Sequence, residues 1–172
     1  SLSVCWLESP GYRSSLTEEA FEVALNQAQT LFQSAALELV VRHQSRLALN
    51  DEVVRNALPN EQGQSQRKAS FAGLTGHSSY RPGLLNLYWV SQLTSFQGNQ
   101  RLSWIQDKPG RILILKDPES PARCGQSLIR GLLSFLDLPP GEFVLPQSVR
   151  SLPVPGSRLL DGEIERIRDQ VK

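Results

Sequence analysis

The chain has few residues that could hold a metal ion or attack a substrate. Its two cysteines, Cys5 and Cys124, and its two histidines, His43 and His77, show none of the short spacings that zinc sites use. Cys124 precedes an apolar helical stretch, and a helix N-terminus favours a thiolate, but the sequence places no histidine nearby to activate it. The carboxylates show no evident pairing, and no glycine-rich phosphate loop occurs. The residue types therefore favour neither a metal site nor a nucleophilic one.

The two cysteines leave two alternatives open. Cys5 and Cys124 could form one disulfide in an oxidising compartment, or both could be buried thiols. The sequence starts at Ser1 without a methionine, which is expected of a mature or trimmed product. The start and a disulfide would both agree with export from the cell.

Length and composition predict one globular domain over residues 1–172. Hydrophobic residues make up 40% of the chain and charged residues 20%, which is ordinary for a folded protein. The net charge of +1 argues against a nucleic-acid surface, which needs a basic excess. No apolar run approaches the length of about 18 residues that a membrane span requires. We therefore expect a protein without a membrane span whose partners are not nucleic acids.

The chain alternates between strand and helix signals. Short runs of apolar and β-branched residues predict strands, and apolar residues at helical spacing predict amphipathic helices. Ser15 offers a capping box with Glu18, and Thr17 is a rival N-cap, for a helix of about five turns that reaches Ala35. We expect a mixed α/β layer with helices packed on a twisted sheet. The predicted strands are 2–7, 37–43, 84–90, 111–115 and an edge strand at 101–105, and the other helices are an apolar one that ends before Pro139 and a last one at 161–171 with Asp161 as its cap.

Two stretches between these elements are ambiguous. Residues 47–58 could hold a short helix. Residues 59–83 form a long polar segment, which is unusual inside a compact domain. Two alternatives remain for it: a mobile surface excursion, or a loop that binds a partner.

Four segments, taken in order, resemble the metzincin metalloprotease domain, especially its small matrixin-like and bacterial secreted members. FEVALNQAQTLFQSAALELVV is similar to the opening helix and second strand of that family, and LLNLYWV to a later strand. GRILILKD followed by SLIRGLLSFLDLPP resembles the strand and helix that carry the zinc motif, and SRLLDGEIERIRDQV resembles the closing helix. The resemblance spans most of the chain. It implies a metzincin-like twisted mixed sheet packed against an N-terminal helix, a degenerate active-site helix and a C-terminal helix.

The zinc motif of that family is missing. The motif HExxHxxGxxH presents histidines one helical turn apart to one zinc ion, with a glutamate as general base. The family's Met-turn methionine is also missing, because the chain has no methionine, and Leu152 stands about where it would be. Two alignment registers remain open for the motif. They place either Gln126, Ser127, Arg130, Leu133 and Leu136, or Ser127, Leu128, Gly131, Ser134 and Asp137, at its five positions.

The resemblance therefore implies a pseudoprotease: a monomeric, secreted or periplasmic domain without a cofactor that binds a protein or peptide. A peptide would add to an edge strand, and Arg130 or Arg123 would supply a cation where the zinc ion was. The expected binding residues of the former cleft are Gln126, Ser127, Arg130, Arg123 and Tyr80. Two alternatives remain: an assembly subunit that uses its outer surface, and a hydrolase with a rearranged site.

Overall fold

A computed structural model describes residues 1–11, 13–50, 74, 76–91, 103–106, 111–118, 120, 123–136 and 161–171. In these residues the elements follow the predicted order, with one strand, one helix, four strands and then two helices. The strands are β1 (Leu2–Glu8), β2 (Val41–Ala48), β3 (Leu85–Val90), β4 (Ser103–Gln106) and β5 (Ile112–Lys116), and the helices are α1 (Glu18–Phe32), α2 (Cys124–Phe135) and α3 (Asp161–Val171).

The strands form one five-stranded sheet in the order β2-β1-β3-β5-β4. The four strands β2, β1, β3 and β5 are parallel, and β4 pairs with β5 in the antiparallel direction at one edge. The central strands β1, β3 and β5 are buried almost throughout, which matches their continuous apolar sequences. The predicted mixed α/β class is confirmed, and so is the edge strand near residue 105.

The second strand differs from its prediction. It covers Val41–Ala48 instead of 37–43. Leu47 and Ala48, the first residues of the stretch that could hold a short helix, are therefore part of the strand. The side chain of Gln29 explains the shift: it donates to the carbonyl of Leu37 at 3.1 Å and accepts from the amide of Leu39 at 2.6 Å. The segment before Val41 is thus bound to α1 by a side chain, and it cannot make those bonds to the sheet.

The start of α1 settles the choice between two caps. The Thr17 hydroxyl accepts a hydrogen bond from the amide of Ala20 at 3.2 Å, so Thr17 is the N-cap and the capping box predicted at Ser15 is wrong. The α-helix ends at Phe32, earlier than predicted, and a 3₁₀ turn covers Gln33–Ala35. Ala36 then takes the left-handed conformation, with φ of 55°, which ends the helical path.

The chain divides into two compact units. The first contains residues 1–15 and 41–117 and includes the whole sheet. One of its hydrophobic clusters brings buried residues of β1, β3 and β5 together with Leu74, and Tyr80 packs against that cluster. Large side chains that are fully buried, such as Trp6 on β1, Trp89 on β3 and Ile114 on β5, anchor the three central strands.

The second unit contains residues 16–40 and 118–172 and includes the three helices. Helices α1 and α2 approach closely at Gly125, where an added Cβ would lie 1.8 Å from the side-chain oxygen of Gln27. Arg168 of α3 donates to the carbonyl of Ala35 at 3.3 Å, which ties α3 to the end of the 3₁₀ turn. The expectations for residues 51–73, Asp137 and Leu152 lie outside the described residues.

Candidate functional site

The helix that the sequence places at the degenerate motif is α2, Cys124–Phe135. Its apolar side is buried as predicted, with Leu128, Ile129, Leu132 and Leu133 all at 4% exposure or less. Leu136 lies just beyond the helix, half-buried, and donates its amide to the carbonyl of Leu132 at 3.0 Å. Apolar burial therefore accounts for most of the helix.

The four expected binding residues on and beside α2 have different environments. Gln126 is 8% exposed, and its amide nitrogen is buried with no hydrogen-bond partner among the described residues. Ser127 is half-buried, and Arg123 and Arg130 are exposed. Arg130 can therefore reach a ligand as the structure stands, whereas the amide nitrogen of Gln126 needs a local opening first.

The fifth expected binding residue, Tyr80, belongs to the other unit. It is half-buried and packs against the hydrophobic cluster of the sheet. Its backbone amide donates to the carbonyl of His77 at 3.0 Å, so the residue also closes a turn before β3. Packing and turn formation account for its position within the sheet unit.

The two cysteines and the two histidines have different surroundings. Cys5, in the sheet unit, and Cys124, in the helix unit, are each buried as a free thiol in the structure. Burial raises the pKa of the Cys5 thiol, so this sulfur is a poor nucleophile at neutral pH. The Nε2 atom of His43 lies 3.3 Å from a guanidinium nitrogen of Arg81, and His77 contacts Ser78 and Ser79. Among the described residues, no three side chains of histidine, cysteine, aspartate or glutamate converge on a metal-sized site.

A phenol beside Cys5 is equally unreactive. Tyr88 pairs in register with Cys5 in the sheet, and its hydroxyl lies 3.4 Å from the hydroxyl of Ser79. Burial raises the pKa of Tyr88 to about 12, so the phenol keeps its proton at physiological pH. The two hydroxyls that meet here, those of Tyr88 and Ser79, are therefore neutral groups.

A polar cluster that the sequence does not predict lies at the end of β5. The carboxylate of Asp117 accepts three hydrogen bonds from the segment before α1. They come from the Ser14 hydroxyl at 2.7 Å, the Ser15 amide at 2.6 Å and the Ser15 hydroxyl at 3.3 Å. The backbone amide of Asp117 donates to the carbonyl of Val90 at 2.8 Å, so the residue also continues the ladder between β3 and β5.

Burial and hydrogen bonding have opposite effects on the pKa of the Asp117 carboxyl. Burial raises the pKa of the Asp117 carboxyl, the three donors oppose that effect, and the nearby Glu8 carboxylate adds to it. Glu8 itself forms an ion pair with Arg46 at 2.5 Å, and the Arg46 guanidinium lies 4.9 Å from the centre of the Trp6 ring. No local sequence signal could find the cluster, because its partners are more than 100 residues apart.

An open groove of about 470 Å³ lies in the second unit, at the end of α1. The Gln29 amide at its wall is already bonded to the extended segment after the 3₁₀ turn. The groove contains none of the expected binding residues. Its lining consists of Gln29, Gln33, Ala36, Leu37, Glu38 and Leu39.

Comparison with known proteins gives no match to a family model, a curated protein or a solved structure. In the described part of the chain, every helix is too short or too polar to cross a membrane. A functional assignment therefore rests on the residues themselves and on the resemblance that they carry.

Proposed function

We propose that this chain is a catalytically inactive metalloprotease-like domain, a pseudoprotease, that binds a protein or peptide partner outside the cytoplasm. The proposal combines the ordered resemblance of four segments to metzincins with the loss of that family's zinc ligands and general base. The observation that carries it is the environment of α2. This helix has a well-buried apolar side, an exposed arginine (Arg130), and a buried glutamine at a position where one register places a zinc ligand.

The sheet supports binding of an extended peptide. β4 is its antiparallel edge strand, and in the described part of the chain β4 pairs with β5. An edge strand offers backbone N–H and C=O groups along one side, which an extended peptide can use as a template. Backbone pairing would supply affinity, and side chains near the strand would supply specificity.

The exposed arginine at Arg130 would supply a charge for recognition. A guanidinium binds a carboxylate through two parallel hydrogen bonds, and such charge-assisted bonds are about twice as strong as neutral ones. A peptide with an acidic side chain or a free C-terminus would provide that carboxylate. Arg123, which the resemblance also places in the former cleft, is exposed and lies just before α2.

The test is selection of peptides from a random displayed library, followed by calorimetry and hydrogen exchange of the winning peptide with the chain. The proposal predicts a loss of about tenfold in affinity in Arg130→Ala, and hydrogen exchange identifies the amides that the bound peptide protects. Arg42→Ala is the matched control, because Arg42 is also exposed and lies on the opposite edge strand. Equal weakening by both substitutions would mean that the arginines act through general charge, and would contradict a specific site.

Variants of the chain and the selected peptides also distinguish this proposal from the two alternative functions. An assembly subunit that uses its outer surface would lose its partner when residues 60–78 are deleted, and would keep it in Arg130→Ala. A hydrolase with a rearranged site would cleave the selected peptides, which mass spectrometry of the incubation mixture detects. Binding without cleavage that depends on Arg130 is the result that the proposal expects.

A further inference from the structure

The open groove at the end of α1 has an extended segment of backbone as one wall. The chain turns at Ala36, which takes the left-handed conformation, and residues 37–39 then lie beside α1 within reach of Gln29. The groove has a volume of about 470 Å³, which is within the usual range for ligand sites in proteins. It is therefore large enough to take several side chains of a short peptide.

The backbone edge of this segment is held by one side chain. The amide nitrogen of Gln29 donates to the carbonyl of Leu37 at 3.1 Å, and its oxygen accepts from the amide of Leu39 at 2.6 Å. A neighbouring β-strand would bond to the same two groups, because the C=O before a residue and the N–H after it point to the same side of an extended chain. A peptide group offers the same kinds of donor and acceptor as a glutamine amide. Gln29 thus occupies a place that fits the backbone of an extended peptide.

The side chains of the segment alternate as those of a strand do. Leu37 and Leu39 are half-buried, and Glu38 between them is exposed. Glu38 is the only charged side chain among the described residues that line the groove. Residues that face each other across paired strands lie on the same side, so a peptide residue opposite Glu38 meets its carboxylate and the residues next to it meet the two leucines. This pattern fits a basic residue between two apolar ones.

We propose that the groove is a docking site for an extended peptide that carries a lysine or arginine between two apolar residues, and that this peptide displaces the Gln29 amide. The bonds that Leu37 and Leu39 lose to Gln29 are replaced by bonds to the peptide, and the half-buried Gln29 amide becomes hydrated. A second copy of the chain, paired through the same segment, would set Glu38 opposite Glu38, and like charges in that position are destabilising. The groove uses none of the residues of the site proposed at Arg130, so each proposal is tested separately.

The experiment is an NMR titration of the isotope-labelled chain with a capped synthetic peptide, Thr-Val-Lys-Val-Thr. Its control is the same peptide with glutamate in place of lysine. At millimolar concentration the lysine peptide should shift the signals of the Leu39 amide and of the Gln29 side-chain amide, and the glutamate peptide should not. Glu38→Gln should weaken the lysine peptide about threefold, which is the scale of an exposed ion pair. Glu22→Gln, at an exposed position on α1 away from the groove lining, should leave its affinity unchanged.

Gln29→Ala distinguishes an amide that the peptide displaces from one that only supports the groove. This substitution leaves the Leu37 carbonyl and the Leu39 amide open to the peptide, so the affinity should rise about tenfold. If Gln29 only supported the groove, the same substitution would weaken binding. The titration of the native chain reports on the Gln29 side chain directly, so the test does not depend on a variant that fails to fold.

Four results would overturn the proposal. One is the absence of shifts at Leu39 and Gln29 with the lysine peptide, and another is equal binding of the lysine and glutamate peptides. A third is weaker binding by a folded Gln29→Ala chain. The fourth is a shift of the same signals with chain concentration in the absence of peptide, which would assign the groove to a second copy of the chain.

Discussion

Asp117 and Gln126 are buried to nearly the same degree, at 7% and 8% exposure, but their polar side-chain atoms differ in hydrogen bonding. Three donors meet the carboxylate of Asp117, whereas the described part of the chain offers no hydrogen-bond partner to the amide nitrogen of Gln126. A buried polar group is normally hydrogen-bonded. The fold therefore explains the burial of Asp117, but it does not explain the burial of the Gln126 amide nitrogen. The difference indicates that Asp117 stabilises the sheet unit and that Gln126 remains as a candidate for a role in binding.

The largest effect is expected for Asp117→Ala. It removes the acceptor of three hydrogen bonds, and we expect the free energy of unfolding to fall by about 2 kcal/mol. The loss stays moderate because the exposed Ser15 can be rehydrated and because the carboxylate's own desolvation is relieved. Urea unfolding measures the change, with Glu22→Ala as the control for an exposed carboxylate on α1. A loss no larger than that of the control would contradict the structural role of Asp117.

Gln126→Met should have an opposite and smaller effect. Methionine keeps an unbranched side chain of similar length and removes the unpartnered amide, so we expect a gain of about 1 kcal/mol in the free energy of unfolding. Gln44→Met, at an exposed position on β2, is the matched control and should change little. If Gln126→Met lowers stability, the amide has a hydrogen-bond partner in solution, such as a bound water, and the contrast with Asp117 disappears.

The smallest effects are expected for the two serines that donate to Asp117. Ser14 donates to Asp117 over 2.7 Å and the Ser15 hydroxyl over 3.3 Å, so the two hydroxyl bonds differ in strength. Ser14→Ala should cost about 1 kcal/mol, and Ser15→Ala about half of that or less, because Ser15 keeps its amide bond. Thermal unfolding of the two variants side by side would resolve them. A larger loss in Ser15→Ala would show that the hydroxyl distances do not rank the contacts.

Local sequence patterns were sufficient to predict most of the described strands and helices. The continuous apolar runs of β3 and β5 and the helical spacing in α1 and α2 each fall within one short window of sequence, and each is found near its predicted place. The antiparallel edge strand was also foreseen, at 101–105 against an observed Ser103–Gln106. These features depend on neighbouring residues, which a single sequence displays.

The errors came from contacts that are distant in the sequence or made by side chains. Leu37–Leu39 has strand-like residues, but the Gln29 side chain binds its backbone and moves the start of β2 to Val41. In the polar cluster at the end of β5, Ser14 donates to Asp117, which is 103 residues away. In the sequence, the serines of this cluster look like ordinary cap residues. The expected binding residues were chosen by resemblance, and only the structure separates the exposed Arg130 from the buried Gln126.

The central claim, a metalloprotease-like domain that works without zinc, is tested most directly by the metal content of the purified chain. The measurement is elemental analysis, together with the melting temperature before and after a chelator. The account predicts no stoichiometric zinc ion and the same melting temperature in both states. One zinc ion per chain whose removal lowers the melting temperature would contradict it, since structural and catalytic zinc sites both stabilise the fold that holds them.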